Sequence, residues 1–157
     1  MDKITHMDAF DRKILARLQD DGQLTNQQLA EYVHLSASQC SRRRLRLERE
    51  GVISGYRAVL DPAKLGYAFA VFIEIKLGDH SGDNADSFRR LIAAHSAIQA
   101  GYAMTGDFDY LLKATVRDLA GLQALINDTL LPHPAISQLR SNIVLEELKT
   151  GDKLPLS

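Results

Sequence analysis

Two matching helix-start signals, separated by a very short turn, constrain this chain more than any other feature. Residues 25–28 (TNQQ) and 36–39 (SASQ) each place a hydroxyl at a helix start and an amide three residues later, which is the capping-box pattern. Only His34 and Leu35 separate the end of the first of these helices from the cap of the next. Helices joined by so short a turn cross at a steep angle, so the sequence predicts a helix-turn-helix.

A further helix precedes this pair and a β segment follows it. Asp8 is placed to cap a helix whose apolar residues lie on one side, and the third helix ends near Glu50. Residues 52–60 resemble a β segment, which Pro62 ends because proline supplies no backbone donor. We therefore assign residues 1–52 to a three-helix winged helix-turn-helix and 53–66 to a β linker or hinge.

The second part of the chain alternates strand and helix patterns in the order β-α-β-β-α-β. Its first strand, from Phe69 to Leu77, places apolar side chains on one face, and two later strands flank a tight turn at residues 106–109. This order within residues 67–157 predicts a ferredoxin-like antiparallel sheet. The predicted fold class is therefore α+β.

One face of that sheet is expected to remain without a covering helix. Both helices of the motif pack on the opposite face, and the uncovered face is half apolar, with Ala68, Ala70, Phe72, Ala103 and Leu111 among polar groups. Such a face usually needs a partner, so we expect the chain to associate with itself through it.

Composition indicates a globular protein of a reducing compartment. Hydrophobic residues make up 45% and charged residues 25%, and the longest apolar run, residues 67–73, is far below the ~20 residues that cross a bilayer. Cys40 has no second cysteine for an internal disulfide, so it is expected to pack as a small apolar residue. These features favour a cytoplasmic location without membrane contact.

Charge is concentrated in the third helix. The net charge of the chain is −1, yet residues 36–49 hold five arginines and one glutamate. A helix after a tight turn fits the DNA major groove, where hydroxyl and amide groups meet base edges and arginines meet phosphates or guanine. The residues predicted to bind DNA are Ser36, Ser38, Gln39, Ser41, Arg42, Arg43 and Arg46. The alternative is a solvated helix, which normally carries both signs of charge.

The turn between the two central strands is the second informative element. It reads Thr105-Gly106-Asp107-Phe108-Asp109-Tyr110. Free amide groups there suit a carboxylate and an aspartate suits an ammonium group, which together would recognise an α-amino acid. A simple hairpin turn, in which the aspartates bond nearby amide groups, explains the same residues.

Catalytic and metal signatures are missing from the sequence. No nucleotide-binding, nucleophile-elbow or paired-histidine pattern occurs, so we expect neither an enzyme nor a metal or cofactor site. Asp79 and His80 with Asp83 are the nearest approach to a cation site, and a solvated loop explains them more simply.

The chain as a whole resembles the leucine-responsive/AsnC family of transcription regulators. The resemblance rests on ITHMDAFDRKILARLQDDGQLTNQQLAEYVHLS, SxSxCSRRxxRLEREGVISGY, LDPAKLGY, VFIEIKL, TGDFDYLLKATV and the closing VLEELK and TGDKLPL, in this order. It implies sequence-specific binding to double-stranded DNA, dimers that assemble into tetramers or octamers, and a small effector, usually an amino acid. The effector residues that it implies are Met104, Thr105, Gly106, Asp107, Asp109, Tyr110 and, on the last strand, Ser141.

One position departs from that family pattern. An aliphatic residue is usual four residues after Cys40, where this chain has Arg44 followed by Leu45. Either the helix rotates so that Leu45 helps to pack, or Arg44 buries its stem and leaves its head in water. Two other functions remain open on this architecture: an enzyme similar to siroheme decarboxylases, and a metabolite-sensing subunit that acts on a protein partner.

Overall fold

The computed structural model describes residues 6–78, 82–149 and 153–156, which form two compact units. The second unit spans Leu60–Lys149, and the other described residues form the first. The sequence pattern predicts that the tail belongs to the second domain, within residues 67–157. In the structure, residues 153–156 instead pack with the first unit.

Three helices form the first unit, and each begins where its capping pattern predicts. They are α1 (Ala9–Asp20), α2 (Asn26–Val33) and α3 (Ala37–Arg49). Asp8, Thr25 and Ser36 each form a complete capping box with the residue three positions later. His34 ends α2 in the left-handed conformation, with φ of 58°, and turns the chain directly into α3. The predicted helix-turn-helix is confirmed.

The core of the first unit lies between the three helices. Its buried side chains are Ile14, Leu15, Leu18, Leu29, Val33, Cys40 and Leu47. Cys40 is completely buried, as predicted for a packing residue, and this burial raises the pKa of its thiol. A neutral buried thiol is a weak nucleophile, which fits a structural role.

The chain after α3 is not a β-strand in the structure. None of residues 52–60 pairs with a strand among the residues that the structure describes, and Val59 and Leu60 are largely exposed. The predicted β segment at 52–60 is therefore wrong for this single chain. Its residue pattern favours extended backbone, but a strand also needs a neighbouring strand to bond with.

The C-terminal tail packs along the last turn of α1. The amide of Leu154 donates to Gln19 Oε1 at 2.7 Å, and Gln19 Nε2 donates to the carbonyl of Leu154 at 3.1 Å. Lys153 Nζ lies 2.6 Å from a carboxylate oxygen of Asp20 and lowers the pKa of that group. Leu156 packs against the helical core. These contacts explain why the tail belongs to the first unit.

The second unit has the predicted β-α-β-β-α-β order. Its elements are β1 (Phe69–Leu77), α4 (Gly82–Ala94), β2 (Ile98–Ala103), β3 (Tyr110–Val116), α5 (Leu119–Ala124) and β4 (Ile136–Ile143). A wider helical turn, Leu125–Leu130, extends α5. The sheet is antiparallel with strand order β2-β3-β1-β4. The ferredoxin-like prediction is confirmed.

Alternate residues of β1 separate the two faces of this sheet. Val71, Ile73, Ile75 and Leu77 are buried in a core that also contains Phe88 of α4, whereas Phe72 lies on the other face. The prediction for Ala103 is wrong, because Ala103 exchanges faces with Tyr102: Ala103 pairs with Tyr110 on the helix side, and Tyr102 pairs with Leu111 on the uncovered face. The register shift between Ile98 and Ala100 causes this exchange, because one extra residue reverses which side chains point to each face.

Candidate DNA-binding helix and effector turn

The buried side of α3 determines which of its residues point outward. Cys40 and Leu47 are buried, so the opposite side carries Ser38, Arg42, Leu45 and Arg49, which recur at helical spacing. Leu45 is 61% exposed. An open groove along this side is lined by Ser38, Ser41, Arg42, Arg43, Leu45, Arg46 and Arg49. We call the set Ser38, Ser41, Arg42, Leu45 and Arg49 the outer face of α3.

Two arginines at the edge of this groove are held by carboxylates of α1. Arg43 Nη1 donates to Asp11 at 2.8 Å and to Asp8 at 2.7 Å, and Arg46 Nη2 donates to the second oxygen of Asp11. The Asp11 side chain is only 1% exposed. These hydrogen bonds, led by the one to Asp11, raise the pKa of Arg43. We call these four residues the Asp11 clamp, and it fixes α3 against α1.

The clamp makes the stability of the protein depend on pH through Asp8. The amide of Asp11 and then the Arg43 guanidinium hold the Asp8 carboxyl below its ordinary pKa. A lowered pKa in the folded state contributes stability that is present above the unfolded value of ~3.9 and lost as pH falls through the folded value. Asp8→Asn should therefore lower the thermal midpoint near pH 6. Below about pH 4, the midpoint of this variant should decrease less steeply with falling pH than that of the wild type. Calorimetry between pH 2.5 and 6 measures how the thermal midpoint of each protein, wild type and Asp8→Asn, changes with pH. If the two midpoints fall in parallel, this role of Asp8 is contradicted.

The N-terminal residues of α3 take part in its cap. Ser36 Oγ accepts from the Gln39 amide at 3.2 Å, and Gln39 Oε1 accepts from the Ser36 amide at 3.0 Å. The hydroxyls of Ser36 and Ser38 lie 3.0 Å apart. All three side chains remain exposed at the start of the helix. The cap thus orders the polar groups that the sequence predicts for base contacts.

The Arg44 head is hydrogen-bonded to other residues of the first unit. This arrangement differs from both alternatives expected from the sequence, which were inward packing of Leu45 and an Arg44 head in water. Its Nη1 donates to the carbonyl of Leu24 at 2.9 Å, and its Nε donates to Tyr56 Oη at 2.8 Å and to Glu48 at 3.2 Å. Its guanidinium also lies 4.8 Å from the centre of the Tyr56 ring. Leu45 does not pack inward, and the Arg44 head has protein partners. We call Leu24, Arg44, Glu48 and Tyr56 the Arg44 cluster.

The turn between β2 and β3 is fastened to the end of β1. The Met104 amide donates to the Asp109 carbonyl at 2.8 Å, and Gly106 adopts a φ of 129°, which favours glycine. The Asp109 amide donates to the carbonyl of Ile75 at 2.9 Å, and its carboxylate accepts from the amide of Leu77 at 2.7 Å. Asp109 therefore positions the whole turn.

The other predicted effector residues occupy different places. Met104, Thr105, Gly106 and Asp107 are exposed on the turn, and the ring of Tyr110 packs 5.0 Å from that of Phe88. Ser141 lies on β4 and pairs with Ile73 of β1. In the sheet, β4 and the β2–β3 turn are on opposite sides of β1. The single chain brings the turn residues together and leaves Ser141 apart from them.

Removing the charge of Asp109 should loosen this turn. Asp109→Asn weakens the partly buried bond to the Leu77 amide, and a hydrogen bond to a charged group contributes about 1.5–3 kcal/mol. We expect urea unfolding to show a loss of about 1–2 kcal/mol in the second unit. Asp107→Asn is the matched control, because its carboxylate is exposed on the same turn, and it should change stability by less than about 0.5 kcal/mol. Equal effects of the two variants would contradict the positioning role.

Comparisons with known proteins match both units. Residues 70–154 match the Lrp/AsnC ligand-binding domain, and residues 7–54 match a winged helix-turn-helix DNA-binding domain. The leucine-responsive regulatory proteins of Escherichia coli K12 and Salmonella typhimurium are 39% identical over 148 residues, covering 94% of this chain and 90% of theirs. This chain belongs to the Lrp/AsnC family.

Solved structures of transcriptional regulators share the fold over nearly the full length. A transcriptional regulator from Neisseria meningitidis, in complex with L-methionine, superposes with a TM-score of 0.93 at 35% identity, covering 96% of this chain and 97% of that one. An AsnC-family regulator from Agrobacterium tumefaciens reaches 0.90 at 35% identity with the same coverage. This Lrp/AsnC protein is therefore a DNA-binding transcription regulator with a ligand-binding domain, as the sequence predicts.

For several residues of the DNA-binding unit of this Lrp/AsnC protein, the sequence did not predict the place that the structure shows. Leu45 and Arg49 lie on the outer face, and helical spacing from Ser38 is the signal that would have found them. Asp11 and Tyr56 hold the arginines, but no local pattern in the sequence connects them with α3.

Within residues 6–78, 82–149 and 153–156, no group of three or more His, Cys, Asp or Glu side chains is arranged to hold a metal ion. No helix in those same ranges is long and apolar enough to span a membrane. Asp79 and His80, considered as part of a cation loop, lie outside the described residues.

Proposed function

We propose that this Lrp/AsnC protein binds duplex DNA through the outer face of α3 and that an amino acid controls this binding. The observation that carries the proposal is the exposed pair Arg42 and Arg49, which flank Leu45 on one side of a helix that follows a tight turn. Ser36, Ser38, Gln39 and Ser41 supply polar groups at the start of the same helix. Arg43 and Arg46 keep the helix in place and add positive potential at its edge.

In this proposal, self-association brings a second α3 helix, from another copy of the chain, to the same DNA. On the uncovered face of the sheet, Phe72 and Leu111 are partly exposed and Tyr102 is 54% exposed. Pairing of two chains through this face forms a dimer, which further contacts extend to a tetramer or octamer. A two-fold dimer reads two half-sites about 34 Å apart, so the operator should be a degenerate palindrome.

The proposed effector site is the β2–β3 turn with residues from a neighbouring chain. Backbone amides around Gly106 suit an α-carboxylate, and the exposed carboxylate of Asp107 suits an α-ammonium. Thr105, Met104, Asp109, Tyr110 and Ser141 complete the set that we propose. The Neisseria meningitidis regulator was solved with L-methionine, so methionine is the first amino acid to test.

Regulation requires that the effector bind one assembly state better than another. A difference of about 1–3 kcal/mol in affinity is typical and changes DNA binding roughly 5- to 150-fold. We assign no cofactor, metal or catalytic step to this activity. A regulator of this kind acts where the chromosome lies, and we therefore propose a cytoplasmic location.

Binding to the DNA upstream of its own coding sequence tests the central proposal. Fluorescence anisotropy at about 50–300 mM salt should show affinity that falls steeply with salt, because phosphate contacts release counterions. Binding that is undetectable or insensitive to salt would contradict it.

The effector is tested separately, by thermal denaturation with each of the twenty amino acids. One amino acid, or a small related group, should raise the melting midpoint at millimolar concentration and change DNA affinity in the same samples. No shift with any of them would remove amino acids from the proposal and leave the DNA-binding activity standing.

A further inference from the structure

Leu45 is an unusual residue for the centre of a cationic surface. It is 61% exposed and stands between Arg42 and Arg49 on the outer face of α3. Arg43 and Arg46 line the same groove. A leucine at this position contributes nothing to solubility or to phosphate binding. It is suited to contact an apolar group of a partner that is otherwise negatively charged.

The neighbouring Arg44 keeps Leu45 in this outward position. The Arg44 head donates to Leu24, Glu48 and Tyr56, and these three contacts support the rotation of α3 in which Cys40 and Leu47 are buried. At these two neighbouring positions the usual arrangement of an amphipathic helix is inverted, with the arginine partly buried and the leucine exposed. Burial of Cys40 and Leu47 sets this rotation together with the polar contacts of Arg44, and Leu45 does not contribute to it.

Duplex DNA offers one apolar group that fits this position. Among the base edges of the major groove, the 5-methyl group of thymine is the apolar feature, and phosphates lie on both sides of the groove. Arginines on either side of Leu45 match that arrangement of charge. A purely apolar protein surface would leave the flanking guanidinium groups without partners.

We propose that Leu45 determines part of the operator sequence by packing against the 5-methyl group of a thymine. This inference rests on the proposed DNA-binding function and adds a specific base to it. Polar groups at the start of α3 read hydrogen-bonding edges, and Leu45 reads a methyl group further along the helix. The Arg44 cluster positions Leu45 without touching DNA.

Replacing thymine by uracil tests this proposal, because the two bases differ only in the methyl group. An operator is first selected from a random DNA pool with the full chain, and each thymine is then exchanged singly for uracil. At one thymine per half-site, the exchange should weaken binding about fourfold, the effect of one buried methyl group. Leu45→Ala should bind the thymine operator more weakly and show no difference between thymine and uracil at that position.

Two further variants separate this role from others. Leu119→Ala removes a similarly exposed leucine from the second unit and should leave all affinities unchanged. Leu45→Arg should bind random DNA more tightly, with a steeper dependence on salt, and should lose the preference for thymine.

Several results would overturn the proposal. Wild-type protein that discriminates thymine from uracil at no position would do so, as would Leu45→Ala protein that keeps the discrimination. A changed oligomeric state of Leu45→Ala, with base preference intact, would identify a contact between protein chains. Absence of all salt-dependent DNA binding would reject the proposed function itself, which distinguishes that failure from failure of the thymine contact.

Discussion

Asp11→Asn should lower the free energy of unfolding of the first unit by about 2–4 kcal/mol. The Asp11 carboxylate is 1% exposed and bonds Arg43 through one oxygen and Arg46 through the other. Asparagine keeps the shape but turns an amide donor towards guanidinium donors. Removing one partner of a buried charge pair costs about 3–5 kcal/mol, and the partial exposure of both arginines reduces that figure here.

Urea unfolding followed by far-UV circular dichroism measures this loss. Asp86→Asn is the matched control, because Asp86 pairs with Arg89 on an exposed face of α4, and such pairs contribute about 0–1 kcal/mol. A loss for Asp11→Asn as small as that of the control would mean that the clamp does not hold α1 and α3 together.

Arg42→Ala combined with Arg49→Ala should weaken DNA binding by about 10- to 100-fold at roughly 150 mM salt. Both side chains are exposed on the outer face of α3, so these substitutions remove phosphate or base contacts without disturbing the core. The slope of log affinity against log salt should fall by about 0.9 for each phosphate that the variant no longer neutralises. The melting temperature should stay within about 2 °C of wild type, as for surface substitutions.

Two single variants serve as comparisons for the Arg42→Ala and Arg49→Ala double variant. Arg89→Ala removes an exposed arginine of the second unit and should not change DNA affinity. Arg46→Ala should instead lower stability, because it removes one of the two cations that hold Asp11. If the double variant binds DNA like wild type while Arg46→Ala does not, the outer face is not the DNA-binding surface.

Local signals in the sequence predicted most of the secondary structure. The capping residues Asp8, Thr25 and Ser36 start their helices as expected, because a cap depends on side chains within three residues of each other. Alternation along β1 predicted its buried face for the same reason. The extended segment at 52–60 shows the limit of such signals, because strand formation depends on a partner that the segment does not contain.

Patterns along the chain were enough to predict the helix-turn-helix, the β-α-β-β-α-β order and the family. They also showed that positive charge collects on the third helix, since each of these patterns is formed by residues that are close together in the chain. Which arginines face outward depends instead on how the three helices pack. Asp11 lies more than thirty positions before Arg43 and Arg46, and Tyr56 reaches Arg44 from beyond the end of the helix. Electrostatic and hydrogen-bond partners act over a few ångströms in space, whatever their separation along the chain, so the roles of these arginines appear only after the helices pack.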